Sequence, residues 1–460
     1  MPYTHTTFAQ AKQRLANELG DSGKVYFVDA ELGRYLIEAL RWWGLVSMYF
    51  RETLKLDTVP GQAFYRIEDD LTNLAGTEFP QGFSVTDRQL INDINYALME
   101  PQITNWALPW PGTEMFSLDE IVQILIDSRD EMLKLSGAVL NNASFPTVLG
   151  QNRVALSESY IRTVRASIFE FGSGGPLPIW AVDQAQLQTT VNSAIIPASG
   201  RPLAFSVSYS PQLTLDLWPS PLNPSDLILH FVMRGATLTP SGSETALGVP
   251  DDASILLKYR TIADLLSGDG LARAPMMAAY CEKRYKEGLE ALMRYQSLMW
   301  AEVGGKRAPL TSVAQLDQMK PTWERSTGAP RSVAQLNWDT FALSPTPDDI
   351  YTLTFEAVRR APIPAADGDF IQVGTESLQA IYDYAQHIAL FKSQGSEFMN
   401  SLPRYDSAME LAMDYREQIA SQSVLYRETQ LPPNQDRWSR PYKVKGAVDS
   451  ANADRQREEV

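Results

Sequence analysis

A single cysteine, Cys281, stands in 460 residues, so no internal disulfide framework holds the chain together, and assembly in a reducing cytosol suits it. Histidine is nearly as scarce: His5, His230 and His387 lie far apart, and a His-based metal site is not expected. No stretch reaches the roughly 20 uncharged apolar residues that cross a bilayer. Even the richest, "YLIEALRWWGLVSMYF" at 35–50, carries Glu38 and Arg41 and runs straight into Arg51 and Glu52. The opening residues lack the basic start and apolar run of a signal peptide. Basic excess is missing as well. A net charge of −15 excludes a general nucleic-acid binder, because such binding runs on Lys and Arg neutralising phosphates.

Catalytic motifs are equally thin. "GDSGK" at 20–24 superficially suggests a serine protease or a phosphate loop. The first needs a histidine and an aspartate placed to activate Ser22, and only His5 precedes it; the second needs glycine where Glu18 stands. It reads as a turn between helices. "DGD" at 367–369 and "PDD" at 250–252 and 347–349 read as turns and caps. No catalytic, cofactor-binding or metal-ligating residue stands out, and no enzyme activity or cofactor is expected.

Architecture is far more legible. Phe8, Ala11, Leu15 and Leu19 recur at helical spacing. Asp29 reads as an N-cap for a second helix with Glu31 in its first turn. On that helix Leu32, Leu36, Leu40, Trp43, Val46 and Phe50 form an apolar stripe, while Arg34, Glu38 and Arg41 line the opposite side. Tyr35, Trp42 and Tyr49 add a second aromatic row, so its latter half is apolar on several sides. Trp42, Trp43, Tyr49 and Phe50 are accordingly expected at a subunit interface as well as in a core. A short strand is predicted at 63–67 and a helix at 84–100. Residues 101–116 read as an aromatic-rich loop, and a helix at 117–135 opens with the Ser117/Glu120 capping-box spacing.

After residue 150 the pattern alternates, with β-branched and aromatic residues between turn clusters such as "PSPLNPSD", which predicts an antiparallel β-domain at about 155–245. Helices return at 249–270, with Asp251 or Asp252 as cap, and from Pro275 to about Ala301. Cys281 lies on the apolar stripe of the latter and belongs to a core; Gly288 on the same stripe implies close approach of another backbone. "SVAQL" occurs twice, at 312–316 and 332–336, each copy an S-x-x-Q box that predicts a short helical turn. A strand at 350–364 and helices at 375–395 and about 404–427 complete the pattern. The expected organisation is α+β: an N-terminal helical domain at 1–150, an antiparallel β-domain inserted at 151–250, a second helical part with a strand and long loop at 251–430, and an extended C-terminal arm at 431–460.

"FAQAKQRLANELGD" leading to "FVDAELGRYLIEALRWW", the Pro-rich "RPLAFSVSYSPQLTLDLWPSPLNPSDLILHFV", and "VPDDASILLKYRTIADLLSGDG" followed by "AAYCEKRYKEGLE" together resemble head-to-tail adaptor (neck, connector) proteins of tailed bacteriophages. The late helical pair fits as well. The resemblance implies a non-enzymatic virion protein, assembled in the host cytoplasm as a homo-oligomeric, dodecameric ring. Such a ring docks beneath the portal protein, meets tail or nozzle proteins, and extends the channel through which DNA leaves without specific binding. Arg437, Trp438, Arg440, Tyr442, Lys443 and Lys445 are then expected to form an arm docking on the portal or a neighbouring copy. A tail-tube or baseplate-proximal protein is the alternative within virions, and an acidic cytosolic hydrolase the alternative from another class.

Overall fold

The computed structural model describes residues 5–67, 83–106, 115–170, 175–183, 199–268, 273–295, 298–338, 340–393 and 395–422. The expected C-terminal arm lies outside them. The chain is α+β, and no helix among the described residues is long and apolar enough to cross a membrane.

Helix α1 (Phe8–Glu18) starts at a capping box: the Thr7 hydroxyl accepts from the Gln10 backbone, and the Gln10 side chain reaches back to the Thr7 N–H. Helix α2 (Asp29–Ser47) ends where Met48 turns left-handed, at φ 53°. Its N-cap is Val28, one residue earlier than expected. Asp29 is instead the first helical residue, where it pairs with Lys12 and Lys24. Strands β1 (Arg51–Asp57) and β2 (Phe64–Arg66) lead to α3 (Asp87–Ala97) and α4 (Leu118–Ser136); Ser117 caps α4 as its spacing predicts.

Among the described residues nine strands follow: β3 (Leu140–Thr147), β4 (Arg153–Ala155), β5 (Tyr160–Glu170), β6 (Leu177–Ala181), β7 (Ser199–Gly200), β8 (Ala204–Ser208), β9 (Thr214–Trp218), β10 (Ser220–Pro221) and β11 (Ser225–Met233). Seven of them form one sheet in the order β3-β11-β5-β6-β8-β9-β4, antiparallel except where β6 meets β8. Its apolar face, with Ile168, Leu215, Leu217, Leu227 and Leu229, closes over a core of its own.

A 3-10 turn (Asp251–Ala253) opens α5 (Ser254–Ser267), and Pro275 opens α6 (Pro275–Met293) at a first-turn position. Neither Asp251 nor Asp252 caps α5. Asp251 accepts from the backbone N–H groups of Ser84 and Val85, and Asp252 from that of Ala361, so both are tertiary ties. Helix α6 stops well short of Ala301, because Leu298–Val303 is strand β12, which buries Leu298, Ala301 and Val303 against its neighbours. Then come β13 (Lys306–Ala308), β14 (Leu310–Ser312), α7 (Val313–Met319), β15 (Ser332–Gln335), β16 (Thr340–Ser344), β17 (Thr352–Val358), α8 (Thr375–Ser393) and α9 (Ser396–Gln422), the last starting eight residues before its predicted onset.

The repeated pentapeptide takes two structures. Ser312 caps α7 as expected, whereas Ser332–Gln335 is a strand that pairs parallel with β14, Leu310 opposite Val333. Two four-stranded sheets result, β1-β17-β12-β13 and β14-β15-β16-β2, each mixing early and late chain. The helices mix in the same way. One continuous core takes in Leu15, Leu36, Ile94 and Leu125 from the first 136 residues and Leu257, Cys281, Ile381 and Tyr405 from beyond 250. Residues 1–150 and 251–430 therefore do not bury separate cores. An α2 apolar on several sides serves this arrangement, because α1, α5, α6, α8 and α9 all pack against it.

Candidate functional site

The second half of α2 is buried within its own chain. Trp42, Trp43 and Phe50 are only 2–3% exposed. Trp42 stacks on Tyr384 at 5.8 Å between ring centroids and donates its indole N–H to the Met409 sulfur at 2.7 Å. Trp43 and Tyr49 both pack on Tyr415. The expected subunit interface at Trp42, Trp43 and Phe50 is thus an intrachain core, and Tyr49 is only partly exposed beside it. The periodicity of α2 registers how many sides are covered but not whether the cover belongs to the same chain. The small residues behave alike: Gly288, Ala408 and Ala412 sit in this core. A Cβ on Gly288 would lie 2.1 Å from Leu256 Cδ2 and 2.9 Å from Trp42 Cζ3, so side chains, rather than another backbone, make the close approach.

Behind Trp42 lies an element with no sequence signal. Arg284 on α6 is fully buried, with its guanidinium 4.5–4.8 Å from the ring centroids of Trp42, Tyr259, Tyr384 and Tyr405. It donates to the hydroxyls of Tyr280 (2.8 Å) and Tyr384. Burial pushes the Tyr259, Tyr384 and Tyr405 hydroxyls well above their ordinary range, so the cation is held by neutral π faces and oxygens. Tyr280 passes the network on to His387 Nε2 at 2.7 Å, and His387 Nδ1 meets the Ser401 hydroxyl at 2.7 Å. Arg284 donates into the Tyr280 oxygen and Ser401 donates to the Phe398 carbonyl. Tyr280 must therefore give its proton to Nε2, which puts the imidazole proton on Nδ1. Burial, then the charge of Arg284, drives the His387 pKa down to about 3, and the ring is neutral. Burial likewise raises the Cys281 thiol to about 12, as suits an inert core thiol.

The charged side of α2 opens onto a cleft of about 340 Å³ between α2, α3 and α5. Arg34, Glu38 and Arg41 enter it from α2, Asp93 from α3 and Lys258 from α5; Ile37, Val85, Leu90 and Ile255 supply apolar wall. Glu38 uses both oxygens, taking Lys258 Nζ at 2.7 Å and the Tyr259 hydroxyl at 2.6 Å. Burial alone would raise its carboxyl; the Lys258 charge and these two hydrogen bonds more than reverse that and hold it low. Asp93 goes the other way. Partial desolvation in the cleft raises this half-exposed carboxyl, and Lys258 and Arg34, the latter 3.6 Å away, offset only part. Two carboxylates thus share a cleft with their proton affinities pushed apart.

Arg34, Glu38 and Arg41 were legible as one polar helix face, but Asp93 and Lys258 carry no pattern that would join them to it. The predicted docking-arm residues Arg437, Trp438, Arg440, Tyr442, Lys443 and Lys445 lie outside the described residues. Among the described residues no three His, Cys, Asp or Glu side chains group as a metal site. No known family model matches this sequence, and no curated protein does.

Proposed function

We propose that this chain is a structural virion protein of a tailed bacteriophage, the subunit of an adaptor ring that joins the portal to the tail and extends the DNA-exit channel. The observation that carries the reading is an apolar rim on the seven-stranded sheet. Val148, Leu149, Leu203 and Leu222 are each more than half exposed, and Trp180 nearly so. Backbone hydrogen bonds tie them into one region: Gly150 N–H to the Pro221 carbonyl, Leu222 N–H to Gly200, and Trp180 N–H to Leu203. Exposed apolar residues gathered in this way mark a surface that another protein covers. In a closed ring that protein is the next copy.

In this reading the helical parts form the body and the β-domain inserted between α4 and α5 forms the contact module. The net charge of −15 suits a conduit that releases DNA rather than holding it. The test is the particle formed by the full chain. Light scattering and negative-stain images should show a many-copy ring with a central channel, and Leu149→Glu with Leu222→Glu should give folded monomers. A wild-type protein that stays monomeric or dimeric at every concentration overturns the proposal.

A second reading, an acidic hydrolase, is favoured by one observation, the Glu38/Asp93 pair. It needs a base able to take up a proton, and Glu38 is held ionised and weakly basic by Lys258 and the Tyr259 hydroxyl. Turnover of ester or glycoside substrates that disappears in Asp93→Asn would establish it.

A further inference from the structure

The cleft between α2, α3 and α5 holds three cations and two carboxylates, and they do not pair evenly. Lys258 is matched with Glu38 at 2.7 Å, and Arg34 faces Asp93 at 3.6 Å while its guanidinium stacks over the Tyr96 ring. Arg41 is left over. Among the described residues no hydrogen bond or ion pair reaches it, and its Nε is buried without a partner. A guanidinium at the wall of a cleft with no acceptor among the described residues is open to one brought by a ligand.

We propose that this cleft binds a small monocarboxylic acid with an apolar body, its carboxylate received by Arg41. Three features select that chemistry. The planar guanidinium fork matches a carboxylate in two parallel hydrogen bonds. Arg41, without an ion pair among the described residues, has room for one negative charge, and a phosphate dianion would bring excess charge beside Asp93 and Glu38. The remaining wall, Ile37, Val85, Leu90 and Ile255, offers apolar surface for a hydrocarbon or aromatic body, in a volume within the range of small-ligand pockets. Asp252, the buried carboxylate behind Arg41, does not take the ligand's place. It feels the Arg41 charge, but its Oδ2 accepts from the Ala361 N–H and its Oδ1 takes no hydrogen bond from Arg41 or any other described residue.

Isothermal titration of the full chain with octanoate and 4-phenylbutyrate, with their primary amides and with inorganic phosphate tests this directly. The acids should bind, and the amides and phosphate should bind at least tenfold more weakly. Arg41→Gln should cost the acids at least tenfold in affinity, and Arg41→Lys, which keeps the charge without the fork, should cost less. Circular dichroism and thermal unfolding check that each variant is folded, and the acid-versus-amide comparison on the wild-type chain needs no variant. Absent acid binding at millimolar concentration, amides or phosphate binding as tightly as the acids, or an Arg41→Gln chain of unchanged affinity would each overturn the proposal. The outcome is independent of the ring, because binding is read whatever the particle mass.

Discussion

Arg165 grips Asp317 through two hydrogen bonds, Nε to Oδ2 at 2.7 Å and Nη2 to Oδ1 at 2.9 Å, with both side chains nearly buried. Glu324 closes on the same guanidinium, and Trp323 donates its indole N–H to Asp317 Oδ1 at 2.8 Å. The contact joins β5 of the seven-stranded sheet to α7 and the turn after it, elements 152 residues apart in the chain. Arg165→Ala leaves two carboxylates buried without their cation, a loss of about 3–5 kcal/mol. Urea unfolding should show that loss, and Asp317→Ala in the Arg165→Ala background should then cost far less than it does alone. Equal costs in both backgrounds would mean the two residues do not act as a pair.

Trp42 separates a core from an interface. With its ring stacked on Tyr384 and set over Arg284, Trp42→Ala should destabilise the subunit by about 3–5 kcal/mol. The unfolding midpoint should fall at every protein concentration, whereas an interface residue would weaken only assembly. Gly288→Ala should also lower it: overpacking against Leu256 and Trp42 costs about 1–3 kcal/mol, against about 1 kcal/mol gained in helix propensity.

Opposing proton linkages should shape the pH dependence of stability. Burial raises the Asp252 pKa to about 7, above the usual carboxylate value near 3.9. The folded chain therefore holds a proton that the unfolded chain releases, and this contribution, complete below about pH 4, is lost as pH rises through 7. Asp252→Asn should gain on wild type as the buffer moves from pH 5 to pH 8. His387 acts in the reverse sense. Its pKa of about 3 lies below the ordinary 6.5, so its contribution is present above pH 6.5 and is lost as pH falls toward 3. Burial and Arg165 give His230 the same sense, at about 4. In His387→Gln the acid limb between pH 3 and 6.5 should be shallower, whatever the absolute stability. A limb of unchanged slope would show that the ring is not held neutral.

The two "SVAQL" copies offer a matched pair. Ser312 caps α7 by accepting from the Gln315 N–H at 3.1 Å, and Ser312→Ala should cost about 1 kcal/mol. Ser332 lies in β15, where its hydroxyl makes a 3.3 Å hydrogen bond to the Ser344 carbonyl and caps nothing. Ser332→Ala should cost less than half as much in the same denaturant series.

Where a signal is local, the sequence alone determined the outcome. The Ser117 cap, Pro275 at the first turn of α6, the buried stripe through Cys281 and the alternating strands before Met233 depend on neighbours within a few residues, and so does the polar face of Arg34, Glu38 and Arg41. Tertiary structure decided whatever depends on a partner far along the chain. Identical pentapeptides became a helix and a strand because only the second lies between β14 and β16, where both edges of its backbone find hydrogen bonds. Leu298–Val303 left the helical pattern because β17 offered it a ladder. Asp251 and Asp252 look like caps by position, yet they tie segments more than 100 residues away, because a buried carboxylate takes whichever N–H donors the fold brings to it. The Arg284 cage and the Arg41 cleft are likewise assembled from helices that spacing alone does not relate. Hydrophobic periodicity measures how much of a helix is covered, and only the packed chain says by what.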